Sequence, residues 1–169
     1  MKRLFPLLAL LALASCNNEI TGLGPPSDPA TETFDPSLGI IIAEMTRLES
    51  GVYIQDLVVG DGESVTARTD TVWVTYTGFL KNGEEFDSGV NTRLIIDGIV
   101  PGLAQGLVGM KVGGRRMVVV PSALGYGERS ITEPGTVDPV IPRQSTLIFR
   151  IELLRLFTPP EEDEDDQDS

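Results

Sequence analysis

Near the middle of the chain, Val74 to Ser88 reads VTYTGFLKNGEEFDS. It sets Asp87 directly after Phe86, with Tyr76 upstream across a turn. Few partners exist for such a carboxylate, because the chain has no histidine and one cysteine. Ser-His and Cys-His nucleophilic pairs, imidazole bases and histidine metal ligands are therefore excluded. Neither an intramolecular disulfide nor a thiolate metal cluster can form. No metal and no cofactor are expected. Asp87 could serve as the polar group of a site that uses none of these. On the residues alone, the stronger reading is that Asp87 caps a turn through Ser88 and the loop after it. Both readings stay open at this point.

The elements that must position these residues follow from periodicity and turn signals. Thr71 to Leu80 alternates, with Val72, Val74 and Tyr76 on one side and Trp73, Thr75 and Thr77 on the other, which predicts a strand. Asn82-Gly83 is a tight-turn signal. Val52 to Val59 alternates weakly and ends at the turn Gly60-Asp61-Gly62. Arg93 to Asp97 is a short strand candidate. Pro101 to Val108 (PGLAQGLV) predicts one short helix, with proline in its first turn and Gly109 after it. Arg115 to Val120 and Thr146 to Phe157 are further strands, separated by a loop, 121–144, rich in glycine and proline. Five or six strands and one helix predict an α+β domain, a curled antiparallel sheet over one short α-helix. The 18 glycines, 12 prolines and hydrophobic fraction of 41% suit many turns around one packed core.

The two ends differ in character. Residues 1–16 read MKRLFPLLALLALASC, two cations followed by an apolar run too short to span a bilayer, as in a secretory signal. Leu13-Ala14-Ser15-Cys16 resembles the lipobox of bacterial lipoproteins. The resemblance implies a signal peptide over 1–15, lipidation of Cys16 and membrane attachment through that lipid. Asn17 after the cysteine then favours the outer membrane, facing the periplasm. Residues 16–37 carry Pro25, Pro26, Pro29 and Pro36 among small polar residues and predict a disordered tether. Residues 38–50 form a lead-in, with Ile40-Ile41-Ile42 packed on the domain, and 51–158 is the folded unit. Residues 159–169 hold seven acids between Glu161 and Ser169 and predict a solvated acidic tail. The net charge of −12 and the absence of a basic patch argue against nucleic acid as a partner.

In order, the blocks VTYTG, NGEEFDS, IVPGLAQGLVGMKVGGRR, VPSALGYGE and VIPRQSTLIFRIELL resemble the FKBP-type peptidyl-prolyl cis–trans isomerases over about residues 50–157. The resemblance implies a half-barrel of antiparallel strands wrapped around the helix, with a proline pocket between them. It implies Tyr76, Phe86, Ile99, Leu103, Val140, Ile141 and Phe149 as pocket residues. It implies Asp87 as the polar group, Tyr126 as a hydroxyl that meets a substrate carbonyl, and the Val100 N–H as an anchor for a carbonyl beside the proline. Leu94 and Ile96 fall where the family often has aromatics. Leu103 stands where the family usually has tryptophan, and Glu128 to Pro139 is longer than in the minimal member. The implied partners are proline-containing unfolded or extended polypeptides and the family's macrolide inhibitors. The implied activity is X-Pro isomerisation during folding of exported proteins. The alternative is a weakly active domain that holds such segments as a chaperone or peptide-binding module. Tyr76, Phe86 and Phe149 also read as plain core aromatics, and both roles are compatible where the pocket is an opening in the core.

Overall fold

Val72 and Val74 are fully buried, and the strand that carries them is the hub of the sheet. In the computed structural model, which describes residues 25–66 and 70–157, six strands form one antiparallel sheet. They are β1 (Thr46–Arg47), β2 (Tyr53–Val58), β3 (Thr71–Leu80), β4 (Glu85–Ile95), β5 (Arg115–Val120) and β6 (Leu147–Phe157), in the spatial order β1-β2-β5-β6-β3-β4. One α-helix, α1 (Pro101–Leu107), packs on the sheet. The expected fold class is the one observed.

The helix lies close to the sheet because two of its residues lack side chains. A Cβ on Gly106 would come within 2.4 Å of Val118 Cγ1, and one on Gly102 within 2.3 Å of Val120 Cγ1. Arg116, only 5% exposed, forks onto Asp56 and donates to the Gly106 and Val108 carbonyls, tying the end of the helix to β2 and β5. The core between helix and sheet holds Val72, Val74, Ile96, Leu107, Val118, Leu147 and Leu153.

The β3–β4 hairpin turns at Asn82-Gly83 as expected, with Gly83 at φ 87° and the Asn82 side chain accepting from the Glu84 N–H. The second strand of that hairpin departs from expectation. It runs from Glu85 to Ile95, and Ile96 to Gly98 is a 3₁₀ turn, where only Arg93 to Asp97 reads as a strand in the sequence. The reason is that β4 is a sheet edge with register shifts opposite Val74–Tyr76 and Gly78–Phe79, so its apolar residues lose their alternation.

The tether is also corrected for its described part. Residues 25–37 pack on the domain. Pro29 and Leu38 are buried, Asp35 caps a turn, the Asp35 N–H donates to the Lys81 carbonyl, and Arg150 donates to the Ser37 and Leu38 carbonyls. Leu38 and Met45, with half-buried Phe34, Ile40 and Ile42, cover Tyr53, Met117, Val119 and Ile148 on the sheet face away from α1. Of the lead-in isoleucines, Ile41 is 54% exposed and does not pack as expected. The expected signal peptide, the Cys16 lipid site and the acidic segment 159–169 lie outside the described residues.

Candidate active site

In a regular strand, neighbouring side chains point to opposite faces. Phe86 and Asp87 nonetheless line the same cavity. The register explains this, because Gly78 pairs with Asp87 while Phe79 pairs with Glu85, leaving Phe86 as an extra residue in a β-bulge. The bulge aims both consecutive side chains at one space. Gly78 also pairs with Phe149 on its other side, so Phe149, Gly78 and Asp87 share one row across three strands, with Tyr76 further along the same face of β3.

The row works because its middle member is glycine. A Cβ on Gly78 would sit 2.6 Å from Phe86 Cζ, so the phenyl ring occupies the place of the missing side chain. Gly89 does the same for Tyr76, whose Cε1 would lie 2.7 Å from a Cβ there. Phe86 then meets Phe149 edge-on, with centroids 5.7 Å apart and an interplanar angle of 88°, a favourable aromatic geometry.

The resulting cavity is about 410 Å³. Its apolar wall comes from Phe86, Leu94, Ile99 and Phe149, and Leu103, 6% exposed, lines it from the helix. Its polar side chains are Tyr76, Asp87, Tyr126 and Arg129, and Val100 lines it as well. The Tyr76 hydroxyl donates to Asp87 Oδ2 at 2.8 Å. Burial pushes the Tyr76 pKa up to about 12, reinforced by the hydrogen bond to Asp87, the Asp87 charge and a smaller effect of Tyr126. The hydroxyl therefore keeps its proton at physiological pH and holds an exposed carboxylate at the cavity wall. Among the described residues, the Val100 N–H donates to no backbone carbonyl, since Val100 precedes the first helical residue, Pro101.

The structure brings Tyr76, Phe86, Asp87, Ile99, Val100, Leu103, Tyr126 and Phe149 to one cavity. It does not bring Val140 and Ile141 there. Ile141 is 3% exposed and exchanges backbone hydrogen bonds with Ile131, and Val140 packs half-buried on the core. The bridge between Ile131 and Ile141 closes the long loop on itself, so these apolar residues turn inward. Ile96 is likewise in the core, whereas Leu94 does line the cavity. The sequence reading missed Arg129, which nothing but its nearness to Tyr126 marks, and missed the Tyr76–Asp87 bond.

Among the described residues, an antiparallel sheet over one short helix carries a mostly apolar cavity with a few polar groups at its wall. The profile described as FKBP-type peptidyl-prolyl cis-trans isomerase matches residues 62–154, and the chain belongs to that family. It is 36% identical to the FK506-binding protein of Neisseria meningitidis serogroup B over 113 residues, which covers 63% of this chain and 97% of the relative. It is 36% identical to the FKBP-type peptidyl-prolyl cis-trans isomerase FkpA of Escherichia coli K12 over 118 residues, covering 68% of this chain and 41% of FkpA. The crystal structure of E. coli FkpA superposes with a TM-score of 0.59 at 35% identity, covering 69% of this chain and 53% of that one. That of a peptidyl-prolyl isomerase from Pseudomonas syringae also gives 0.59, at 27% identity, covering 68% and 81%.

Proposed function

We propose that the cavity binds the proline ring of an X-Pro segment and favours the twisted amide over both planar forms. Rotation about that bond faces about 18–20 kcal/mol and takes tens to hundreds of seconds unaided. No covalent bond breaks, so catalysis needs only preferential stabilisation of the state without amide resonance. Tyr76, Phe86, Ile99, Leu103 and Phe149 form the bowl that excludes water, which favours the more polar planar amide. The Val100 N–H anchors a carbonyl beside the proline, and the Tyr126 hydroxyl meets another. The Asp87 carboxylate supplies a fixed field near the twisting carbonyl. The observation that carries this reading is the 2.8 Å bond from Tyr76 to Asp87 at the wall of an otherwise mostly apolar cavity. A protease-coupled isomerisation assay on proline peptides tests it. Saturable acceleration, suppressed by a macrolide that competes for the bowl, is expected. Peptide binding without acceleration would instead identify a holdase or peptide-binding module.

The proposal extends to where the reaction occurs. The MKRLFPLLALLALASC start supports export and a lipid on Cys16, so the clients would be exported polypeptides met at the outer membrane, facing the periplasm. Incorporation of labelled fatty acid by the wild-type chain and its loss in Cys16→Ser is the expected result. A Cys16→Ser protein that is still processed and still sediments with membranes would overturn the anchor.

A further inference from the structure

The segment before the sheet does more than cover its outer face. Ser27 lies outside the residues matched by the family profile, yet it is bonded to the loop that carries Tyr126. Its N–H donates to Ser122 Oγ at 2.8 Å, and its Oγ accepts from the Ser122 N–H at 2.7 Å and from the Thr146 hydroxyl at 2.8 Å. Ser122 is fully buried and Thr146 nearly so, at 0% and 1% exposure, which makes their donors dependent on protein partners. The carbonyl of the same Ser122 accepts from the N–H groups of both Gly125 and Gly127, at 3.0 and 2.9 Å. These are the two residues flanking Tyr126. The Ser122 hydroxyl donates to Gln144 Oε1, and the Gln144 N–H donates back to the Gly127 carbonyl at 2.7 Å.

The peptide unit after Tyr126 and the one before Gly125 thus hang from one residue, and that residue is held from behind by Ser27. Glycines have the widest backbone freedom of any residue. A tyrosine between two of them takes its orientation from what the flanking backbone is bonded to, here Ser122 together with the Arg129 N–H that donates to the Tyr126 carbonyl. We infer that Ser27 is a positioning residue for Tyr126, and that the amino-terminal segment is part of the isomerase machinery and not a spacer. The inference rests on the proposed role of the Tyr126 hydroxyl.

A double-mutant cycle in the full-length chain tests both claims and separates them. Kinetics are taken at a temperature where circular dichroism shows each variant fully folded. Tyr126→Phe is expected to lower kcat/KM, and unchanged activity would sink the role of the hydroxyl and with it the inference. Ser27→Ala is expected to lower kcat/KM about tenfold, less than the roughly hundredfold that 1 Å of misplacement can cost. Ser27→Thr, which keeps the hydroxyl, should restore most of the loss. In the Tyr126→Phe background, Ser27→Ala should change kcat/KM by less than about twofold, because the positioned group is gone. An equal loss in both backgrounds, or full activity in Ser27→Ala, would show that the segment serves stability alone. Should Ser27→Ala not fold, Ser122→Ala, which keeps the carbonyl holding both glycines, carries the same cycle with a smaller expected loss and the same refuting results.

Discussion

Replacing Asp87 with leucine removes the one carboxylate that lines the cavity among the described residues, while keeping a side chain of similar size. The effect on rate can be estimated from charge movement. A planar amide carries extra negative charge on oxygen, and twisting returns about a third of a unit to nitrogen. A carboxylate about 5 Å from that oxygen and further from the nitrogen, at an effective dielectric of about 20, favours the twisted state by up to about 1 kcal/mol. Including disturbance of the neighbouring Tyr76, the barrier should rise by about 1–2 kcal/mol, a five- to thirtyfold fall in kcat/KM. Stability should hardly change. Asp87 is exposed, and the Tyr76 hydroxyl it releases stands at an open cavity where water can replace it, so the loss is at most about 1 kcal/mol. Two companion variants sharpen the contrast. Tyr76→Phe leaves the charge but unpins it and should cost about threefold in kcat/KM. Phe86→Ala empties the place over Gly78 and the edge contact with Phe149, and should lower stability by about 2 kcal/mol as well as activity. The assays are proline-peptide isomerisation and thermal unfolding on all three. Full activity in Asp87→Leu, or unfolding as severe as in Phe86→Ala, would show that the carboxylate is a structural cap and refute the electrostatic account.

Two further outcomes follow from the same geometry. Gly78→Ala would place a methyl 2.6 Å from Phe86 Cζ and push the ring into the cavity. Kcat/KM should fall at least about tenfold, with about 1–3 kcal/mol of stability lost to overpacking, and an active, stable alanine variant would mean the ring is not held there. The raised pKa of Tyr76, about 12 against an ordinary 10, sets the sign of an alkaline effect. The unfolded chain loses the tyrosine proton first, so stability from this group is complete below pH about 10 and is lost as pH rises to about 12. Urea titrations across that range should show a steeper decline for wild type than for Tyr76→Phe, and equal slopes would dissociate Tyr76 from the shift.

Much of the fold is written in residue patterns, and the parts that are not have identifiable causes. The alternation of Thr71 to Leu80 survives because Val72 and Val74 are fully buried in the core while Trp73 and Thr75 on the other side are only half-buried. The helix signals of PGLAQGLV survive because Pro101 opens α1 and Gly109, at φ 76°, follows its end. The run MVVV of β5 carried a further message. An unbroken apolar strand is buried on both faces, so something had to cover Met117 and Val119 on the side away from the helix. The first part of the covering segment, 25–37, reads as a tether because its anchors, Pro29 and Phe34, are scattered among prolines and polar residues, while Leu38 and Met45 belong to the lead-in. Composition measured its average, while packing depended on those few residues. Val140 and Ile141 stand away from the cavity for a related reason. Their apolar character was visible, but the bridge to Ile131 that turns them inward is a backbone pairing with no side-chain signature.

The site itself shows where side-chain reading stops. Tyr76, Phe86, Asp87, Tyr126 and Phe149 could all be named because chemistry-bearing side chains are conspicuous in a sequence. What brings them together is mostly backbone and absence. The extra residue at Phe86 rotates Asp87 toward the cavity, Gly78 and Gly89 vacate the volume that two rings fill, and Ser122 holds the glycines around Tyr126 through its carbonyl. A reaction that breaks no covalent bond depends on shape and field more than on any one reactive atom. Its determinants are therefore spread over residues that contribute no functional group. For this chain, substitutions at Gly78, Gly89 and Ser27 should rank with those at the aromatic wall in their effect on isomerisation, although none of the three would be chosen from a survey of reactive side chains.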